Sequence, residues 1–530
     1  MQPTDDSKAD AQPAETISTL EAAFEGRRRA AGVVLAPLAF AAVHLTSGGL
    51  GPQGQMMASI LAAVVVLWIC ETLPLPVTAL LGAALCIALG VAPARQVFSY
   101  FADPIVFLFI GSFMLARAMA VHGLDRRIAL SFLSIAWVSA SPARMLAGLG
   151  FVTAAISMWV SNTATTAMMM PIGLGILAAL HRTRGDGGAL GAKPWPFATG
   201  MMLMISYAAC IGGIGTPVGS PPNLIGIGMI RNAVGVDISF PTWMALAVPM
   251  LVAMAAVLFL LLYRLHPETP ASGGAAASSK ASADSLGTDM REHVAHEQRR
   301  LGPWTRGQVN TLVAFGVAVA LWMLPGVLSV LGLEDAPVSD WLEARMPEAV
   351  VAVVAALLLF VLPVRLREGE FTLSWAEAVK IDWGTILLFG GGLTFGTLMF
   401  ETGVARAMGE AFAAHLGTSS LWGFTFTAIA IGIVMSETTS NTAAANMVIP
   451  VVIAIAQASD INPIPPALGA VFGASFGFML PVSTPPNAIV YGSGLIPLPK
   501  MIRAGIVFDV LGLFIIWIGL RIMCPLLGLA

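Results

Sequence analysis

Two clusters of hydroxyl and amide side chains interrupt apolar runs of this chain. The first is Ser157-Met158-Trp159-Val160-Ser161-Asn162-Thr163, and the second is Ser436-Glu437-Thr438-Thr439-Ser440-Asn441-Thr442. Each is followed by a further interruption, Gly219-Ser220-Pro221-Pro222-Asn223 after the first and Ser483-Thr484-Pro485-Pro486-Asn487 after the second. Serine, threonine and asparagine offer donors to a carboxylate and lone pairs to a hard cation. A double proline cannot continue a helical hydrogen-bond ladder, so backbone groups are freed beside it. The helix that restarts after each break points its partial positive charge at the gap. Gly219 and Ser483 occupy equivalent positions, where an unwound backbone could present its carbonyls. Together these groups could hold a small carboxylate without arginine, and a sodium ion beside them would offset the anion's charge.

Each motif alone has an ordinary structural explanation. A Ser-Asn-Thr in a membrane helix is often interhelical glue, and a lone Pro-Pro-Asn is usually a kink. Both motifs recurring in the same order point instead to a repeated ion or substrate site. Glu437 has no counterpart in the first cluster, where Met158 stands, so a role in fixing the hairpin is expected for it. Met168, Met169 and Met170 read as packing fillers, and His44 and His122 are poor proton-relay candidates. His293 and His296 lack the further ligands of a metal site. The glycines at 390–392 lack the Lys-Ser/Thr of a phosphate loop, which disfavours ATP-driven transport, and no nucleic-acid signature is present.

The elements that must position these clusters are membrane helices. Of 530 residues, 57% are hydrophobic and 11% charged, against roughly 25% charged in soluble domains. The four cysteines lie in apolar contexts and read as small buried hydrophobes. Residues 1–30 read as a disordered cytoplasmic N-terminus, ending in Arg27, Arg28 and Arg29, and 31–51 as the first transmembrane segment. Further spans are expected near 52–70, 76–93 and 103–121, with 124–141 along the interface. Residues 144–181 carry the first cluster in their middle. Their two arms either cross separately or form a re-entrant hairpin. A broken helix over 196–230 and a span near 239–263 complete a first unit, 52–264. Residues 265–307 read as a cytoplasmic linker too poor in apolar content to form a core.

The second unit, 308–525, follows the same plan, with spans near 308–331 and 346–363, a hairpin at about 418–457, a broken helix over 465–495 and a last span near 502–523. Asn162 and Asn441 lie 279 positions apart, as do Asp103 and Asp382. With the N-terminus inside, the 182–195 loop, the linker, Arg365, Arg367, Lys380, Lys500 and Arg503 fall on the cytoplasmic side. The acidic residues Glu334, Asp335 and Asp340 fall outside, in keeping with the positive-inside tendency. This layout puts an odd number of crossings between corresponding points, so the units are inverted repeats, as in secondary transporters.

With both Ser-Asn-Thr motifs and both Pro-Pro-Asn loops present, the chain resembles the divalent anion/sodium symporter family over about residues 50–525. These are bacterial relatives of the mammalian sodium-coupled dicarboxylate and citrate carriers. The resemblance implies an all-α polytopic membrane protein with inverted structural repeats. It would have about 11 transmembrane helices, two re-entrant hairpins and discontinuous helices at the midplane, and would form a homodimer in the bacterial cytoplasmic membrane. It implies substrate contacts from Ser161, Asn162, Thr163, Ser440, Asn441 and Thr442, with Ser220, Thr484 and Pro485 flanking them. One sodium ion would sit with Ser157, Ser161, Asn162 and Gly219, and another with Ser436, Ser440, Asn441 and Ser483. The expected activity is sodium-coupled symport of C4-dicarboxylates (succinate, malate, fumarate) by elevator-type alternating access, with two or more sodium ions per protomer and no catalysis. A sodium-independent dicarboxylate exchanger, a citrate or sulfate carrier of the same fold, and a membrane anion-binding receptor are the alternatives.

Overall fold

The computed structural model describes residues 19–183, 195–268, 280–333, 335–416 and 420–530. Apart from one small antiparallel pair of strands, Pro363–Arg365 with Glu370–Phe371, the described residues form only helices and their connections. Among the described residues, eleven helices are long and apolar enough to cross a membrane. Three of these are hairpin arms, Asn162–Arg182, Leu421–Thr438 and Asn441–Ala458, while Leu75–Ala88, Pro142–Ser157 and Ile464–Ala474 are apolar but shorter. The chain is therefore an all-α polytopic membrane protein.

Seven elements occur twice in the same order. Pro52–Cys70, Leu75–Ala88, Pro104–His122 and the short Leu124–Leu133 lead into a hairpin, a broken helix and Phe240–Leu265. Arg306–Val330, Glu348–Val361, Trp383–Glu401 and Val404–Leu416 lead into the second hairpin, the second broken helix and Leu498–Leu526. The local chemistry repeats with the order. Asp103 caps Pro104–His122 by accepting from Ile105 N at 2.9 Å, and Asp382 caps Trp383–Glu401 by accepting from Thr385 N at 3.1 Å. Leu124–Leu133 has only 10 residues, too few to span about 30 Å of hydrocarbon at 1.5 Å each.

The hairpin arms begin where a capping serine meets a first turn. Ser141 accepts from Arg144 N, and Ser420 from Gly423 N. Each leading arm packs on the broken helix of its own unit. The approach is close enough to require glycine: a Cβ on Gly212 would lie 2.4 Å from Ala154 O, and one on Gly473 would lie 2.5 Å from Ile429 O. Small residues at such crossings let backbones touch where lipid supplies no hydrophobic drive. The two broken helices also bind each other. Tyr207 Oη donates to Phe478 O at 2.6 Å, and Thr199 Oγ1 to Leu495 O at 2.8 Å.

Several expectations need correction. Residues 19–30, read as disordered, are helical and continuous with the first span as Thr19–Thr46, and Arg28 pairs with Glu71 at 2.7 Å. The linker is not structureless either. Lys280–Arg300 is a helix that buries Met290 and Val294 against the first hairpin and Leu124–Leu133. Its four-residue apolar spacing had been masked by surrounding charge. Pro337–Arg345 and Glu348–Val361 form a pair bent by 72°, which periodicity did not anticipate because Pro347 alone marks the break. Residues 1–18, most of the 182–195 loop, the 269–279 part of the linker, Glu334 and 417–419 lie outside the described residues.

At the end of Phe240–Leu265, His266 is buried and neither ring nitrogen has a hydrogen-bond partner among the described residues. Burial, and then the nearby Lys500 and Arg503, lower its pKa from 6.5 to about 4. Between those values the unfolded chain takes up a proton that the folded chain refuses, so folded stability falls as pH drops through that window. Melting in detergent should therefore shift downward from pH 6.5 to pH 4, and His266→Leu should flatten that part of the profile. An equally steep profile in the variant would exclude His266 as the cause.

Candidate functional site

The first polar cluster is the tip of the hairpin formed by Pro142–Ser157 and Asn162–Thr183. The second is the tip between Leu421–Thr438 and Asn441–Ala458. The first broken helix runs as Pro196–Gly212, a 3-10 turn at Gly213–Gly215, a gap, and Pro221–Val234. The second runs as Ile464–Ala474, a gap, and Pro485–Tyr491. Each restart places proline in the first helical turn, where a missing N–H costs nothing.

One cavity of about 550 Å³ brings both tips and both gaps together. Ser161, Asn162, Thr163, Ser220, Ser440, Asn441, Thr442, Thr484 and Pro485 all line it, as do Gly219 and Ser483. Four helices thus begin at its wall, at Asn162, Pro221, Asn441 and Pro485. Their positive ends and free N–H groups favour an anion there. Ser157 and Ser436 lie just behind, fully buried. Ser157 Oγ donates to Asn162 Oδ1 at 2.9 Å, and Ser436 Oγ to Asn441 Oδ1 at 2.8 Å.

The repeat extends to bonds that the motifs alone did not disclose. Asn223 Nδ2 donates to Gly213 O and Thr216 O, each at 2.8 Å, while Asn487 Nδ2 donates to Gly477 O at 2.9 Å and Leu480 O at 3.0 Å. The closing asparagine of each Pro-Pro-Asn therefore pins the unwound backbone preceding it. Both asparagines are fully buried. They are positioning residues that reading by residue type passed over, although the repeated triplet carried the signal.

The two halves differ at Glu437, which is buried beside the second tip. Its carboxylate accepts from Phe478 N at 2.5 Å, Met479 N at 2.8 Å and Ser483 Oγ at 2.6 Å. It therefore ties the hairpin tip to the gap, the role its position in the sequence suggested. In the first half Thr216 Oγ1 bonds the Met158 carbonyl instead. The oxygens Gly213 O and Met158 O crowd Gly219, lying 2.6 and 2.7 Å from where a Cβ would stand. Carbonyl, hydroxyl and amide oxygens of this kind suit a hard cation such as sodium. His122 lies apart from the cavity lining and pairs with Thr372 O at 2.7 Å. The lining also includes Arg117, Lys380, Asp382 and Thr385, which no motif marked.

Comparison with known proteins places this geometry among transporters. The family model described as "Sodium:sulfate symporter transmembrane region" matches residues 30–529. A sodium-dependent dicarboxylate transporter, SdcS, of Staphylococcus saprophyticus is 30% identical over 505 residues, covering 93% of this chain and 91% of that protein. An uncharacterized transporter of Haemophilus influenzae is 31% identical over 476 residues, covering 88% and 91%. Among solved structures, the YdaH transporter of Alcanivorax borkumensis aligns with a TM-score of 0.55 at 13% identity, covering 81% of this chain and 88% of that one. That likeness concerns the fold alone.

Proposed function

Because the chain belongs to the sodium:sulfate symporter family, we propose that it imports C4-dicarboxylates such as succinate, malate and fumarate with sodium ions across the bacterial cytoplasmic membrane. The carrying observation is the single cavity lined by both hairpin tips and both helix gaps. Relatives named as sodium-dependent dicarboxylate transporters support that substrate class and its coupling.

In this reading the hydroxyls and amides of Ser161, Asn162, Thr163, Ser440, Asn441 and Thr442 donate to the two carboxylates, while Ser220, Thr484 and Pro485 shape the opposing wall. Sodium travels as co-substrate. Ser157, Ser161, Asn162 and Gly219 hold one ion, and Ser436, Ser440, Asn441 and Ser483 hold another. Ordering of these oxygens around the cations precedes dianion binding, because an uncompensated dianion would otherwise leave water at high cost. The hairpins, the broken helices, Phe240–Leu265 and Leu498–Leu526 move as one body against the remaining helices. The N-terminus is cytoplasmic and the protein is a homodimer.

The test is radiolabelled succinate uptake into proteoliposomes with and without an inward sodium gradient, with citrate and sulfate as competitors. Sodium-driven accumulation inhibited by C4-diacids is expected. Trans-stimulated uptake indifferent to replacement of sodium by choline would establish an exchanger instead, and saturable binding without accumulation a receptor. Ser157→Ala should raise the sodium concentration for half-maximal uptake about five- to tenfold, the worth of one ligand-positioning hydrogen bond. An unchanged sodium dependence would remove Ser157 from the ion site.

A further inference from the structure

The cavity has a second face, contributed by helices that belong to neither hairpin nor broken helix. Arg117 projects into it from Pro104–His122, and Lys380, Asp382 and Thr385 from the entry to Trp383–Glu401. The two cations share one carboxylate, that of Glu377 in the short helix Trp375–Ala378. Arg117 Nη2 pairs with Glu377 Oε2, and Lys380 Nζ with Oε1 at 2.6 Å. Lys380 and then Arg117 hold the Glu377 carboxyl below the ordinary carboxylate range. Glu377 is not itself part of the cavity wall, whereas both cations are. The remaining acid, Asp382, accepts from Thr385 N at 3.1 Å and from its Oγ1 at 2.6 Å, which directs it to a helix N-terminus that favours its charge. Arg117 Nε is buried and has no hydrogen-bond partner among the described residues. The wall therefore presents two cations to the cavity, with the shared Glu377 carboxylate outside the lining and the Asp382 carboxylate turned to the start of its own helix.

We infer that Arg117 and Lys380 form a reception site for a carboxylate of the transported dianion, distinct from the hydroxyls and amides of the cradle across the cavity. The inference rests on the transport reading above and adds a station to its path. The cradle's side chains are uncharged, whereas Arg117 and Lys380 offer an arriving carboxylate a direct ionic contact at the cavity wall before it reaches the hairpin tips. Glu377 occupies both cations when no substrate is present and yields them to an arriving carboxylate. Because Arg117 and Lys380 belong to the stationary helices, they act only while the cradle faces them. In the orientation proposed above that is the cytoplasmic side, so the effect is one-sided.

The experiment measures sodium-dependent succinate transport in right-side-out and inverted membrane vesicles. Arg117→Gln and Lys380→Gln should each raise KM about fivefold at the cytoplasmic face, the scale of one unit charge at contact in water, and leave the outer face unchanged. Arg117→Lys should retain most of the wild-type KM. Glu377→Gln, which releases both cations, should lower KM at that same face. Raising ionic strength with choline chloride should raise the wild-type KM but not that of the double glutamine variant. Equal changes at both faces, or a Glu377→Gln KM that rises with the others, would show that the cluster merely braces the two helices and would overturn the inference. Wild-type vesicles without sodium-dependent accumulation at either face would overturn the transport reading together with it.

Discussion

Sodium-driven succinate uptake should fall at least about a hundredfold in Asn162→Ala and in Asn441→Ala, while both variants remain folded in detergent. Each asparagine serves two partners at once. Its Oδ1 accepts from the buried serine behind it, Ser157 or Ser436, and the residue itself lines the cavity. Alanine would remove an oxygen from the proposed cation shell and an amide donor from the proposed substrate shell. Two such losses, at about 1.5 kcal/mol each for bonds to charged groups, multiply to roughly two orders of magnitude. The fold should survive because the hairpin arms are held by packing along their length, as at Gly212 against Ala154 and Gly473 against Ile429. Size-exclusion profiles matching wild type, together with lost uptake, would be the supporting result. Near-normal uptake by both variants would remove the hairpin tips from the site.

Gly219→Ala should be more damaging than Ser483→Ala, although the two positions are related by the repeat. A Cβ at Gly219 would meet Gly213 O at 2.6 Å and Met158 O at 2.7 Å. Both are backbone atoms, Gly213 O held by Asn223 in the gap and Met158 O held by Thr216 at the hairpin tip, so neither can rotate away. The carbonyls would have to part, and with them the oxygens proposed to hold sodium. At Ser483 a Cβ already fits, and alanine deletes only the hydroxyl bonds to Glu437, whose carboxylate keeps Phe478 N and Met479 N. A tenfold or greater rise in the sodium requirement is expected for Gly219→Ala, since moving two ligands costs more than one hydrogen bond. Ser483→Ala should shift it less. Sodium titrations of the two variants in proteoliposomes decide the matter, and the reverse order would mean that the first gap is not a cation site.

Glu437 and the linker show where reading by residue type succeeds and where it stops. An acidic residue inside an apolar run must be satisfied nearby, so a fixing role for Glu437 followed from its environment before its partners were known. The helix Lys280–Arg300 carries no such obligation. Its few apolar residues, Met290 and Val294 among them, are buried only because the first hairpin and Leu124–Leu133 present a surface to them.

By itself the sequence determined the membrane class, the repeated order of elements, and the two pairs of motifs. Each is a local property: apolar length, helix-breaking prolines, and costly polar groups at fixed spacing. It also marked Asn162 and Asn441, because an amide in an apolar run is conspicuous. Only the tertiary structure decided that tips 279 residues apart share one cavity, that Asn223 and Asn487 pin the gaps, and that Arg117 and Lys380 face the same space through one carboxylate. Those facts depend on how helices distant in the chain pack, and an arginine or lysine near a helix end looks the same in sequence whether it faces lipid headgroups, solvent or a binding cavity.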